Sequence, residues 1–414
     1  MLKIFISKTN SFNAWPLAAL SVLFFSWGFI TSLNDILIPH LKALFTLSYT
    51  QAMGVQFAFF TAYFLLSAPS AWLLRKIRFQ GGMVLGLAVA GVGCALFYPA
   101  AAWREYGVFL AALFVLAAGV CLLQVAANPY AAALGAPDSA SRRLTLVQAF
   151  NSLGATVGPY IGAGLILERA NVAADAATQA WAVQAPYLGL ALILCCLAAV
   201  FWRLPLPRAA ADAPCVGSSA AASVWAFPHL SLGAVAIFVY VGAEVAIGSF
   251  LVSFLGEPSV AGLPAAAAGR YVAVYWGGAM LGRFAGVLLM RRISGEAALA
   301  GHALAAALLL CASLLGEGVY AMWALLAVGL CNSIMFPTIF ALAVSGLGEQ
   351  TGKGSGILCA AIIGGALLPL LQGAAADAYG LRNAFVLPVF CYVYILLYAM
   401  SYRRLRGSSR FNES

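Results

Sequence analysis

Apolar runs of about twenty residues, the length of a helix that crosses a bilayer, follow one another down this chain, parted only by short clusters of charge, Pro and Gly. This recurrence constrains the fold more than any single motif, because a helix that is apolar on every face must be covered by lipid or by other helices of its kind. Of the 414 residues, 64% are hydrophobic and 8% are charged. A soluble domain carries about 25% charged residues, so too little polar surface exists here to clothe a core in water. A soluble enzyme, a nucleic-acid binder and a disordered regulator are therefore excluded. No strand-period alternation competes with the helical pattern, which excludes a transmembrane β-barrel as well.

Twelve spans are expected. The first six fall near 17–41, 51–74, 83–101, 107–134, 144–167 and 186–204. The second six fall near 229–255, 270–290, 296–315, 319–345, 354–376 and 383–402. Lys3 and Lys8 precede a first run too long for the apolar core of a signal peptide, so that run reads as a retained span. Placing the N-terminus in the cytoplasm puts sixteen Lys and Arg on the inner side, among them Arg75, Lys76, Arg78, Arg142, Arg143, Arg291, Arg292, Arg403 and Arg404. The outer loops then hold five: Lys42, Arg104, Arg169, Arg270 and Arg382. That asymmetry is the positive-inside pattern, and it puts both termini in the cytoplasm. The net charge of +9 is thus a topology signal rather than a nucleic-acid footprint.

The chain divides into two halves of six spans, 1–204 and 228–414, joined by a cytoplasmic linker at 205–227 rich in Pro, Ala and Ser. Arg75-Lys76-Ile77-Arg78 after span two matches Met290-Arg291-Arg292 after span eight. Pro129, expected to break span four, matches Pro337 in span ten, 208 residues later. Six spans per half give parallel repeats about an axis normal to the membrane, as in two-bundle transporters. Gly154, Gly158 and Gly162 in span five and Gly278, Gly282 and Gly286 in span eight form ladders of small residues at every fourth position. Such ladders let backbones approach closely, and they would suit helices that slide across the interface between bundles.

Ionisable residues inside spans are costly and therefore informative. Asp35 lies in the outer half of span one, with Thr31 and Ser32 one turn earlier and Trp27 continuing the ridge inward. A carboxyl there can take a proton from outside and release it inside; the plainer alternative is a carboxylate that accepts hydrogen bonds near a helix end. Glu244, in the middle of span seven with Tyr240 one turn before it, stands 209 residues after Asp35. Substrate contact, cation coupling and an interhelical hydrogen bond all remain open for it. Arg283 in span eight fits a snorkelling or inner-gate residue better than a substrate contact. His40, His229 and His302 read as packing or interfacial residues.

Carboxamides form a second group. Gln124 and Asn128 stand one turn apart in span four, and Gln148 and Asn151 three residues apart in span five. Pro129 also frees the Val125 carbonyl from its helical partner. A sugar hydroxyl both donates and accepts, as a carboxamide does, and Trp27 or Trp276 offers an aromatic face to a pyranose ring. Interhelical bonding is the alternative, and for Asn332 in span ten it is the stronger reading. The nine Cys show no C-x-x-C spacing, so neither a zinc site nor a disulfide framework is indicated. Gly352-Lys353-Gly354-Ser355 does not meet the phosphate-loop pattern, and no catalytic cluster sits at the bilayer surface. The chain is expected to be neither an enzyme nor an ATP-driven pump, and to hold no metal or cofactor beyond a co-transported H+ or Na+.

Several stretches resemble one branch of a known family. Trp27 to Lys42 (WGFITSLNDILIPHLK), Gln124 to Tyr130 (QVAANPY), Gln148 to Gly154 (QAFNSLG) and Ser333 to Phe340 (SIMFPTIF) are similar to the fucose/glucose–galactose branch of the major facilitator superfamily. The likeness touches both halves. It implies a monomeric all-α integral membrane protein of twelve transmembrane helices in two six-helix bundles, a sugar:cation symporter of the bacterial cytoplasmic membrane. Fucose:proton symporters of that branch carry an aspartate assigned to coupling where Asp35 stands, and a glutamate where this chain has Gln124. That departure resembles the glucose/galactose-type relatives. The expectation is a hexose importer coupled to a cation, most simply H+. Asp35 would be the coupling acid, Arg283 a gating or structural residue, and Trp27, Gln124, Asn128, Gln148, Asn151 and Glu244 the sugar contacts. N-acetylglucosamine and fucose permeases of the branch are the near alternatives. A membrane-embedded sugar sensor or channel is the alternative of another class.

Overall fold

The computed structural model describes residues 15–44, 54–162, 176–207, 224, 227–263 and 265–411, and nearly all of these are helical. In chain order the helices are α1 (Trp15–Leu44), α2 (Gly54–Trp103), α3 (Tyr106–Ala133), α4 (Ala140–Gly162), α5 (Ala176–Arg203), α6 (Pro228–Gly256) and α7 (Ala265–Leu289). They continue with α8 (Gly295–Leu315), α9 (Gly318–Asn332), α10 (Met335–Ala343), α11 (Thr351–Ala360), α12 (Gly364–Tyr379), α13 (Leu381–Ala384) and α14 (Val386–Phe411). Ten stretches of the described residues are long and apolar enough to cross a membrane, and one of them, Phe57–Trp103, runs for 47 residues.

That long stretch is two spans. Arg78 has φ 61° and ψ 175°, outside any helix. A methyl group added to Gly82 would lie 2.2 Å from Leu74 Cδ2. Eight residues of unbroken helix would separate those levels by about 12 Å, so the chain folds back between them, at the basic turn after the second expected span. With α4 carrying the fifth, all twelve expected spans have a helical counterpart.

The spans are less regular than their hydropathy suggests. Span ten is α9 and α10, parted at Ser333 and Ile334; span eleven is α11 and α12, parted by a single 3-10 turn at Ala361–Ile363. The two prolines behave differently. Pro129 was expected to break span four, yet α3 runs through it to Ala133. Its helix survives because the Val125 carbonyl, deprived of an N–H by the proline ring, accepts a 2.9 Å hydrogen bond from the Ser355 hydroxyl. The break in span ten precedes Pro337, and the carbonyl which that proline frees, on Ser333, accepts from Arg283 Nε at 3.0 Å. Each proline span is therefore held by a side chain donated from another helix.

The described residues form two compact units. Unit 1 comprises Met1–Ala131, Phe150–Ala213 and Ser355–Ala360; unit 2 comprises Ala132–Ala149, Pro214–Gly354 and Ala361–Ser414. Both glycine ladders close on a helix of their own unit, where a methyl group would clash. At Gly154 it would lie 2.1 Å from the Phe25 carbonyl of α1, and at Gly282 2.6 Å from Ser333 Oγ. Gly28 on α1 meets the Asn151 carbonyl of α4 in the same way, at 2.0 Å. In this structure the ladders serve close packing within a unit.

In unit 2 the turn before α4 is tied down by a buried cation. Arg143 donates to the Ala136 carbonyl at 2.9 Å and also to Ser139 Oγ and the Ala132 carbonyl. Burial, and then the neighbouring Arg142, lower its guanidinium to about 10. It stays protonated at neutral pH. At the start of α8 the Ser294 hydroxyl accepts from the Ala297 N–H, and Glu296 in the first turn pairs with Arg403 at 2.9 Å.

Candidate functional site

Unit 1 gathers an aromatic and amide cluster around one tyrosine. Gln124 reaches from α3 and donates through Nε2 to the Tyr63 hydroxyl of α2 at 3.1 Å. The Trp27 indole of α1 hydrogen-bonds to the same hydroxyl. Phe24 stands beside Trp27 with ring centroids 5.2 Å apart, and Phe59 beside Tyr63 at 5.3 Å. Cys121 approaches the Tyr63 carbonyl, and Cys359, from the α11 segment that belongs to this unit, lies 4.0 Å from Gln124 Oε1. Two of the expected sugar contacts, Trp27 and Gln124, are thus joined through a residue that sequence reasoning passed over. Tyr63 lies in a run of Phe, Ala and Thr where nothing local distinguishes it.

Asn128 sits one turn below Gln124 on α3 and is fully buried. Asn151 is tied to α1, its Nδ2 donating to the Phe24 carbonyl at 3.0 Å. That bond lies beside the close approach of Gly28, at the α1–α4 contact, and uses only the Asn151 amide nitrogen. Gln148 is buried one turn before Asn151 on the same helix, although its segment clusters with unit 2. Asp35 lies on α1; its side chain is outside the described residues. His40 is outside them in the same sense.

Unit 2 holds a second polar cluster, built from α6, α7, α9 and α14. The Tyr240 hydroxyl is 2.8 Å from Glu244 Oε1 on its own helix and 3.0 Å from the Asn332 carbonyl at the end of α9. The Asn332 side chain is held on both sides. Its Nδ2 donates to the Tyr275 hydroxyl at 2.8 Å, and its Oδ1 accepts from Tyr392 at 2.7 Å. Tyr240, Tyr275 and Tyr392 are buried outright, whereas Glu244 is partly exposed. Arg283 lies within Coulombic reach of Glu244 while donating to the Ser333 carbonyl. Asn332 is therefore an interhelical hydrogen-bonding residue, as its position in the sequence indicated. Of the three tyrosines around it, the sequence marks only Tyr240, as the neighbour of Glu244; Tyr275 and Tyr392 have no signature in a chain with sixteen Tyr.

His229 and His302 are packing residues. His229 bonds the Ser345 carbonyl and His302 the Ala298 carbonyl, each at 2.9 Å. A recess of about 560 Å³ in unit 2 is lined by Arg291, Arg292, Arg403 and Arg406 with Asp138 and Glu296, and by none of the expected sugar contacts. It collects the basic turns that set the charge asymmetry. Among the described residues no group of three or more His, Cys, Asp or Glu is placed to hold a metal ion.

In unit 1 buried carboxamides place hydrogen-bond donors and acceptors beside the flat apolar face of an indole. Comparison with known proteins gives the family. The family description "Major Facilitator Superfamily" matches residues 19–361. A glucose/galactose transporter of Brucella abortus is 56% identical over 386 residues, covering 93% of each chain. An L-fucose-proton symporter of Escherichia coli is 34% identical, covering 93% of this chain and 92% of that one. The crystal structure of FucP, a transporter of the superfamily in its outward conformation, superposes with a TM-score of 0.85 at 32% identity, covering 94% of this chain and 98% of that one.

Proposed function

The chain belongs to the major facilitator superfamily, and on that premise we propose that it imports a hexose of the glucose or galactose type together with a proton. The observation that carries this reading is the 56% identity to a glucose/galactose transporter over nearly the whole of both chains. Likeness to fucose–proton symporters supports the choice of H+ over Na+. The protein is a multi-pass membrane protein, and its place is the cytoplasmic membrane of a bacterium, with both termini inside as the charge asymmetry favours. It works as a monomer by alternating access, with two six-helix bundles, 1–204 and 228–414, joined by the 205–227 linker on the cytoplasmic side.

Within that reading Asp35 is the coupling acid. Trp27, Gln124, Asn128, Gln148, Asn151 and Glu244 are the sugar contacts. The Trp27–Tyr63–Gln124 cluster supports the first two, because it presents an indole and a carboxamide whose positions are fixed by a shared hydroxyl. Arg283 holds the Ser333 carbonyl at the break of span ten, which supports a structural and gating part for it. Gln124 bears on the choice of sugar. A neutral amide in place of a carboxylate removes one central negative charge, and the proton that would neutralise it, so Asp35 is left as the coupling acid of the first half.

The test is uptake into proteoliposomes by the purified protein, with a panel of glucose, galactose, N-acetylglucosamine and fucose under imposed H+ or Na+ gradients. Glucose and galactose should accumulate when the outside is acid, and a Na+ gradient alone should drive nothing. Equilibration without accumulation would identify a channel, and absence of any flux a sensor. Uptake confined to fucose or N-acetylglucosamine would reassign the sugar.

A further inference from the structure

Glu244, Tyr240 and the break in span ten form a device that the transport reading does not itself require. The Tyr240 hydroxyl has one proton and two acceptors in reach, Glu244 Oε1 at 2.8 Å and the Asn332 carbonyl at 3.0 Å. A phenol donates once. Which acceptor receives that proton depends on the charge of Glu244. An ionised carboxylate only accepts, and it draws the phenol proton because a charge-assisted bond is roughly twice as strong as a neutral one. A protonated carboxyl carries its own O–H, can donate it to the Tyr240 oxygen, and so releases the Tyr240 proton to Asn332.

The receiving carbonyl sits at a mechanically special place. Asn332 is the last residue of α9, and helical structure resumes only at Met335. The next carbonyl, on Ser333, is the one freed by Pro337 and held by Arg283 from α7. The two carbonyls that open the break are therefore gripped by side chains of α6 and α7, one of them constitutively and one through a hydroxyl shared with an acid. The Asn332 side chain, clasped by Tyr275 and Tyr392, fixes that carbonyl against its neighbours.

The surroundings of Glu244 contain the groups such a switch needs. From α7 it meets the field of Arg283 and of Tyr275, and from α14 that of Tyr392. On α12, Gly364 meets Phe238, Leu368 meets Gly242 and Gly373 meets Phe250, none of them titratable, and α10, which also packs on α6, carries no titratable residue. Glu244 is partly exposed, unlike the three tyrosines around it.

We propose that Glu244 is a proton-binding residue and Tyr240 a positioning residue, which together make the hold on the Asn332 carbonyl, and hence the break in span ten, depend on protonation. The consequence for sugar movement rests on the transport reading above; the hydrogen-bond exchange does not. With Glu244 charged, Tyr240 points to the acid and the carbonyl loses its donor. With Glu244 neutral, the chain Glu244–Tyr240–Asn332 is continuous from α6 to α9.

Infrared difference spectra of the purified protein between acid and alkaline pH test the chemistry without any sugar. The wild type should show a protonated-carboxyl band together with a shift of a tyrosine C–O band. Glu244→Gln should lose the Glu244 component of the carboxyl band, leaving that of Asp35, together with the tyrosine shift, and Tyr240→Phe should lose the tyrosine shift while keeping the whole carboxyl band. A Glu244→Gln spectrum identical to wild type would overturn the proposal. The second arm is the pH profile of sugar exchange, which Glu244→Gln and Tyr240→Phe should flatten alike. Retention of the wild-type profile by Tyr240→Phe would refute the relay. Wild-type protein that exchanges no sugar would instead refute the transport reading, and the infrared arm would still decide the switch.

Discussion

A carboxylate in an apolar span must face protein or water and must be neutralised or solvated. Asp35, with Thr31 and Ser32 one turn before it on α1, is the acid of the first half that best fits proton coupling. The Thr31 hydroxyl has the Trp27 and Gly28 carbonyls, each at 3.1 Å, as acceptors for its one proton, and the Ser32 hydroxyl donates to the Phe29 carbonyl. If Asp35 couples transport to the proton, Asp35→Asn should abolish uphill accumulation while preserving exchange of labelled sugar between preloaded vesicles. Accumulation at the wild-type level would remove the assignment. Gln124 makes a different prediction. Its Nε2 is fixed by Tyr63 at 3.1 Å, so truncation removes a positioned amide and leaves the buried phenol without that donor. Gln124→Ala should weaken sugar binding by about tenfold or more, since one hydrogen bond to a neutral partner contributes about 0.5–1.5 kcal/mol and an orphaned buried group costs about 1–3 kcal/mol. Calorimetric titration of the purified variant measures it, and an unchanged affinity would take Gln124 out of the site.

At the scale of the element, the two proline spans repeat one solution with different chemistry. A proline ring leaves the carbonyl four residues earlier without an N–H. Ser355 supplies the donor for Val125 in α3, and Arg283 supplies it for Ser333 in span ten. The first arrangement leaves its helix whole and the second accompanies a break. A double-mutant cycle checks the capping directly. Ser355→Ala should cost about 1 kcal/mol of stability, the scale of interhelical hydrogen bonds within membranes. In a Pro129→Ala background the Val125 carbonyl regains a helical N–H, and the same substitution should cost markedly less. Equal costs in both backgrounds, measured by denaturation in detergent, would mean that the hydroxyl is not acting as the missing donor. These details also mark the limit of what sequence can disclose. The spans, the basic turn at Arg75–Arg78 and the amide pairs follow from periodicity and local spacing. The proline-freed carbonyl at Val125 is legible too, being a property of four consecutive residues and a ring. Its donor is not, because Ser355 stands 230 residues away and only the packed register of two helices pairs them. Tyr63, Tyr275 and Tyr392 were hidden for the same reason. A buried phenol is distinguished by what it meets, and Gln124 and Asn332 declare nothing about their partners in sequence.

At the scale of the molecule, the scarcity of charge turns into a statement about energy coupling. Nearly all the cations are spent on orientation, so the spans retain few groups able to carry a proton, of which Asp35 and Glu244 are the acids. A neutral sugar moving with one proton transfers one positive charge inward. Both components of the proton gradient should then drive it, acid outside relative to inside and negative inside relative to outside. One pH unit carries about 1.36 kcal/mol per proton, which sustains about a tenfold concentration ratio of sugar. A potential of 100 mV carries about 2.3 kcal/mol per charge, a ratio of roughly fifty. Steady-state galactose in proteoliposomes clamped at zero potential should therefore rise about tenfold per imposed pH unit, and reversing the gradient should empty preloaded vesicles by the same factor. Adding an inside-negative potential should increase the ratio further. A sugar ratio that responds to pH but not to potential would require a compensating counter-charge, such as a proton moved in exchange for another cation, and would rule out simple symport of one proton with a neutral hexose. Asp35→Asn should bring the ratio to one under either force, because an exchanger without its coupling acid can only equilibrate.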